Sequence, residues 1–203
     1  MKRGVRPVDI RAVVFDFDGT LAVQTHDFAH MRARAVEAIS RYAPVAAVAT
    51  EPMMEELDRV CATLDTATAA KARQATLAAI EEVELEAARH SSLFPCVRPM
   101  LAALRCRNIP SGVISRNILP AIRMVFPDVA EHCLCVLTRD DVENVKPHPG
   151  HLRKALEILG CEPAYALMVG DHPMDIQVGK SVGTLTAGVA GGHVPLERLA
   201  VEN

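Results

Sequence analysis

Tryptophan is absent from this chain, and only 2 Tyr and 5 Phe stand in for it. With aromatics at 3%, the stacking platforms on which single-stranded nucleic acids are held are missing. An excess of positive charge is missing too. The net charge of −3 at pH 7 argues against the basic stripe of a nucleic-acid-binding surface. No apolar run approaches the ~20 residues that a membrane helix needs. Lys2, Arg3 and Arg6 stand near the start, but Asp16 and Asp18 break the one apolar run that could continue a secretory signal. The expectation is a soluble cytoplasmic protein without nucleic-acid or membrane partners. The 6 cysteines include no Cys-x-x-Cys pair. His132-Cys133-x-Cys135 is the densest cluster, yet it lacks the spacing of structural zinc sites. Cys133 and Cys135 are expected to be small buried hydrophobes alternating along a strand.

What the chain does have is apolar residues at 50% and charged ones at 23% over 203 positions. That suits one domain, or a core domain with a modest insertion. Residues 11–17 form a short β-branched and aromatic run ending in Asp-Gly-Thr, which reads as a buried strand entering a turn. The stretch that follows, rich in Ala, Glu, Arg, Leu and Met, contains no convincing strand. It reads as helices over 27–42, 51–64 and 66–89, with Asp27 near the first start and Pro52 in the first turn of the second. Beyond Phe94-Pro95, strands over 112–115, 133–137, 165–169 and 184–189 alternate with helices over 99–107, 120–126, 150–159 and 173–181. Such alternation implies parallel pairing through right-handed crossovers. The predicted fold is therefore α/β: a doubly wound, parallel, five-stranded Rossmann-like sheet with a helical cap inserted after its first strand. The core takes 1–22 and 92–203, and the cap 23–91.

In such sheets ligands bind at the carboxyl ends of the strands, and four polar groups fall there. Asp16-Phe17-Asp18-Gly19-Thr20 places two carboxylates two residues apart. They would share a face if the strand stayed regular, but the bend at Gly19 sets one forward of the other. Close carboxylates repel unless a cation or a shared proton relieves them, and a hard ion such as Mg²⁺ does so. Ser115-Arg116-Asn117 lies where a strand passes into a helix; two readings stay open, an anion site and a simple helix cap. Lys146 sits in Asn144-Val145-Lys146-Pro147-His148-Pro149, where rigid turns would fix its charge, or leave it a solvated loop residue. In Gly170-Asp171-His172-Pro173-Met174-Asp175 the two acids lie one helical turn apart, and Gly170 would admit a ligand close to the backbone. Each later group is weak alone; their order and charge suit a metal-bound phosphoryl group, whose transfer needs positioning and electrostatic stabilisation.

With all four groups in order, residues 11–193 resemble the haloacid dehalogenase superfamily, in its phosphoglycolate-phosphatase-like branch with a helical cap. The resemblance implies that Asp16 attacks phosphorus and that Asp18 protonates the leaving alcohol, then activates water. It implies that Mg²⁺ is held by Asp16, the backbone carbonyl of Asp18 and Asp171, with Asp175 in support. Ser115 and Lys146 would hold the phosphoryl oxygens, and Gly19, Thr20, Arg116 and Asn117 would assist. Dehalogenating members lack an acid at the position of Asp18, so the implied activity is a phosphatase acting on a small phosphorylated metabolite. A phosphomutase and a non-catalytic interaction module are the alternatives. Two features depart from the pattern. Ser-Arg-Asn stands where many relatives have Thr-Asn-Lys, so Arg116 either adds charge near the phosphate or packs outward. The chain also ends soon after Gly191-Gly192-His193, where many relatives continue. His26, Asp27 and Arg32, soon after the first motif, are candidates for contacting the substrate, with a solvated helix face as the plainer reading. His148, His172 and His193 are expected in loops near the site. A monomer or a homodimer is expected.

Overall fold

The structure, a computed structural model, describes residues 9–44, 53–192, 194–195 and 198–199. Strand β1 (Ala12–Phe15) consists of four apolar residues, all buried. Side chains alternate across a strand. Val13 and Phe15 accordingly enter one hydrophobic core, and Ala12 and Val14 another. Burial on both faces explains why the run is apolar throughout instead of alternating.

The chain continues through helices α1 (Phe28–Ile39), α2 (Met53–Cys61), α3 (Thr66–His90) and α4 (Val97–Cys106) to β2 (Ser111–Ile114). Then come α5 (Leu119–Val125), α6 (Val129–His132), β3 (Cys135–Leu137), α7 (Pro149–Leu159), β4 (Ala166–Gly170), α8 (Pro173–Val182) and β5 (Leu185–Gly188). The five strands are all parallel, in the order β3-β2-β1-β4-β5. From the central β1 the sheet is built outward both ways, so the connections diverge beside it. That divergence opens a crevice at the carboxyl ends.

Two local expectations are corrected. Cys133 precedes β3 instead of belonging to it, because α6 occupies the residues just before and Cys133 is its C-cap. The two thiols still enter opposite cores, Cys133 with Phe126 and Cys135 with Leu152, so they cannot share an ion. Burial pushes each thiol up to about 11, which keeps both protonated and inert at neutral pH. The first helix ends at Ile39 with Ser40 as C-cap, short of the expected Tyr42.

Thr25–His90 forms one compact unit, and the segments on either side of it form the other. Within the helical unit, α1 starts where the Asp27 carboxylate accepts the His30 N–H at 2.9 Å. Asp65 does the same for α3, accepting from Ala67 and Thr68. Its core is Ile39, Leu57, Val60, Cys61 and Ala72, with a second cluster of Met31, Ala35, Ile80 and Val83. The expected start of the second helix, with Pro52, lies outside the described residues. Among the described residues, no helix is long and apolar enough to cross a membrane.

Candidate active site

Asp16 follows β1 directly, and its N–H still donates to the Val169 carbonyl of β4 at 2.9 Å. The chain then folds tightly, with the N–H groups of Thr20, Leu21 and Ala22 all donating to the Phe17 carbonyl. Gly19 has φ +84°, a conformation that a side chain would strain, and a Cβ there would run into the Asp171 carboxylate. This turn brings Thr20 back over the strand end. Its hydroxyl lies 3.1 Å from Asp16 Oδ2 and 3.2 Å from Asp171 Oδ1.

Carboxylate oxygens of Asp16, Asp171 and Asp175 lie within 4.8 Å of one another, and all three residues are buried. Lys146 enters this cluster from the loop before α7, with 3% of its surface exposed. Its Nζ donates to Asp16 Oδ1, and to Asp175 Oδ1 at 2.7 Å. Burial alone would lower the lysine pKa, but the charges of Asp16 and Asp175 prevail and raise it. The lysine is therefore a fixed positive charge.

Burial raises the pKa of Asp171, and the charge of Asp16 adds to the shift. Burial also raises Asp175, against the opposing pull of Lys146. With all three carboxylates ionised, one ammonium leaves two negative charges uncompensated, a repulsion that adds to burial in raising Asp171 and Asp175. An all-oxygen donor set with that deficit fits a hard divalent cation.

Asp175 does more than face Asp171. Its Oδ2 accepts the His172 N–H at 3.0 Å, closing a capping box at the start of α8. Gly170 makes room for this carboxylate, into which a Cβ at that position would project. The space expected to admit a ligand is filled by the neighbouring acid. Gly170→Ala is expected to destabilise the fold by about 1–3 kcal/mol through overpacking, read as a lowered urea midpoint.

The Asp18 carboxylate stands apart from the cluster. It is half-buried and accepts from Asn117 Nδ2 at 3.0 Å. Asn117 in turn caps the Ile118 N–H with its Oδ1 at 2.8 Å, and donates its own N–H to Ser115 Oγ at 3.1 Å. Neither Ser115 nor Asn117 is the N-cap of α5, which is Ile118. They build the turn before the helix instead. Ser115 Oγ accepts from the backbone, so its own O–H remains to donate. Arg116 lies half-buried with Nη1 3.8 Å from Met174 Sδ, while its carbonyl accepts from Arg139.

The loop histidines have local partners. His148 and His172 are the N-caps of α7 and α8, each accepting through Nδ1 the N–H two residues on, at 3.2 Å. His193 lies outside the described residues. In the helical unit, Asp27 is the N-cap of α1, Arg32 pairs with Glu56 at 2.9 Å, and His26 stacks on Phe28 with ring centroids 5.8 Å apart. The carboxylate of Asp27 and the guanidinium of Arg32 are thus engaged within their own unit.

One residue near the site escaped sequence reasoning. His151, fully buried in α7, accepts the Lys146 N–H through Nδ1 at 3.2 Å. The signal was there: His151 shares the buried stripe of α7 with Leu152, Ala155, Leu156 and Leu159. Burial lowers its pKa from 6.5 to about 4, against the opposing Leu137 carbonyl. A histidine held neutral in the fold binds fewer protons than the unfolded chain between those two values. Stability therefore falls as pH drops from about 6.5 to about 4, by about 3 kcal/mol from this group. The stability difference between the wild type and His151→Phe is expected to shrink across that window, as measured by urea denaturation.

Comparison with known proteins gives the family and the fold. Residues 13–189 match the family described as haloacid dehalogenase-like hydrolase. The phosphoglycolate phosphatase of Escherichia coli (strain K12) is 35% identical over 103 residues, covering 50% of this chain and 41% of that protein. Pyrophosphatase PpaX of Anoxybacillus flavithermus is 36% identical over 118 residues, covering 56% of this chain and 55% of that one. The chain spans about half the length of the curated relatives it matches. The crystal structure of a hydrolase from Pseudomonas syringae has the same fold, with a TM-score of 0.67 at 18% identity, over 95% of this chain and 90% of that one. On the match over 13–189, the chain belongs to the haloacid dehalogenase-like hydrolase family.

Proposed function

We propose that this chain is a Mg²⁺-dependent phosphatase that hydrolyses a small phosphomonoester through an aspartyl-phosphate on Asp16. The observation that carries the reading is the division of labour between two acids. Asp16 sits in the buried carboxylate cluster against Lys146, whereas Asp18, two residues on, turns its carboxylate to Asn117. In this reading Asp16 meets phosphorus, and Asp18, bonded to Asn117, exchanges a proton.

In the first step an oxygen of Asp16 forms a bond to phosphorus as the bond to the substrate oxygen breaks. Asp18 gives its proton to that leaving oxygen. In the second step Asp18 takes a proton from water, whose oxygen attacks phosphorus and releases Asp16 and inorganic phosphate. Splitting one displacement into two is the gain of covalent catalysis, and the exchange of roles by Asp18 is ordinary acid/base logic. Lys146 and the Ser115 hydroxyl hold the phosphoryl oxygens as charge builds on them. Asp16, Asp171 and the carbonyl of Asp18 would hold the cation, supported by Asp175; when bound, it neutralises phosphoryl charge. The names of the two relatives direct attention to phosphoglycolate and pyrophosphate beside sugar phosphates.

The test is phosphate release from an aryl phosphate and a panel of these compounds, with and without Mg²⁺. Turnover that EDTA removes and Mg²⁺ restores is expected. Absence of turnover across the panel with Mg²⁺ present rejects the reading.

A further inference from the structure

Two residues assigned to the phosphoryl group, Lys146 and Ser115, come from different loops: Ser115 directly follows β2, and Lys146 precedes α7. One buried side chain joins their backbones. His151 Nδ1 accepts the Lys146 N–H at 3.2 Å. On the other side of the ring, Nε2 lies 3.2 Å from the Leu137 carbonyl at the end of β3. That same carbonyl accepts the Ser115 N–H at 2.9 Å. The ring thus spans from the lysine loop to the carbonyl that anchors the serine turn. An N–H donates to Nδ1, so Nδ1 carries no proton, and Nε2–H is the donor to Leu137.

We propose that His151 is a positioning residue that sets the spacing of the oxyanion clamp formed by Lys146 and Ser115, through their backbones. This rests on the phosphatase reading for its catalytic consequence, though not for its geometry. A buried ring with both nitrogens engaged cannot shift without leaving a buried N–H or a carbonyl lone pair unmet. The Lys146 loop offers few other backbone holds, since Pro147 and Pro149 have no N–H. Other charges face the ring: Lys146 itself, Asp141 and Asp16. Burial outweighs them and keeps the imidazole neutral, as the two hydrogen bonds require.

Three measurements test this together. The ¹⁵N spectrum of the imidazoles in the wild type should show His151 as the neutral Nε2–H tautomer at pH 6, where exposed histidines are largely charged. A protonated ring, or an Nδ1–H tautomer, overturns the proposal. His151→Phe fills the space but makes neither bond. It should lower kcat for an aryl phosphate by about tenfold and weaken inhibition by inorganic phosphate by a similar factor. His151→Asn places Oδ1 near the position of Nδ1 and should recover a good part of both losses. Wild-type kcat and phosphate affinity in His151→Phe, or equal losses in the two variants, would sink the positioning role. If the phenylalanine variant does not fold, the tautomer and the asparagine variant decide. A wild type without any phosphatase activity counts against the function reading alone, because the spectrum still tests the geometry.

Discussion

Asp16→Asn is expected to lower kcat toward a phosphomonoester by about four orders of magnitude or more, while the fold stays intact. Losses of that size follow removal of a nucleophile from a catalytic unit. Asparagine is nearly isosteric and keeps a carbonyl oxygen at the position of Oδ1 for the Lys146 ammonium, while its NH₂ replaces Oδ2 beside the Thr20 hydroxyl. Its amide oxygen is far too weak a nucleophile to displace an alcohol from phosphorus. The change also removes one negative charge from a crowded cluster, so it should cost little stability without a cation. Single-turnover phosphate release and a thermal melt measure the two effects. A variant with wild-type turnover would remove Asp16 from the role of nucleophile; a variant that fails to fold would point to a structural duty.

Lys146→Met should have the second-largest effect, visible even without substrate. The ammonium is buried between Asp16 and Asp175. Removing one partner of a buried ion pair leaves the other uncompensated, which costs about 3–5 kcal/mol. Methionine keeps most of the stem's packing volume, so the loss isolates the charge. A divalent cation that binds the folded carboxylates should recover part of the lost stability by mass action. Guanidinium midpoints with EDTA and with Mg²⁺ measure both quantities. In the assay kcat should fall by about 10²–10³, the scale of losing one preorganised donor to a transition-state oxyanion. An unchanged midpoint would show that the carboxylates are relieved by something other than this lysine.

The sheet was legible because its signals are local. An apolar run of β1 ending in Asp-Gly-Thr needs no distant residue to be recognised, and Gly or Pro marks the turns after β1 and before α7 and α8. The strand edges were less legible. Cys133 and Cys135 alternate in the right sense, yet a four-residue helix ends just before the first of them. Loop histidines next to proline, His148-Pro149 and His172-Pro173, are caps in which Nδ1 substitutes for the usual hydroxyl or carboxylate. A cap-then-proline pattern could have found them.

Within the helical unit, the three helices follow from Ala, Leu, Glu and Arg content, with Asp27 at the start of the first; the Asp65 cap of the third emerged only in the structure. The function of its polar residues did not follow. A charged residue on a helix carries the same local signature whether it meets a substrate or a neighbouring helix. Arg32 pairs with Glu56, 24 residues away, and periodicity does not carry that information.

The sequence by itself determined the fold class, the order of the four polar groups and their place after strands. Those features rest on side-chain alternation, turn chemistry and helix caps, which act over a few residues. Only the tertiary structure decided how the groups combine. Parallel pairing of β1 with β4 places Asp16 beside Asp171, although they are far apart in the chain. Burial of Lys146 between Asp16 and Asp175 turns a loop lysine into a fixed charge, and Asn117 draws Asp18 away from that cluster. His151 acquires meaning only because Leu137 and Lys146, from a strand and a loop, converge on its two nitrogens. Electrostatics and hydrogen bonding at a buried site depend on distances in space, and those are settled when the sheet closes.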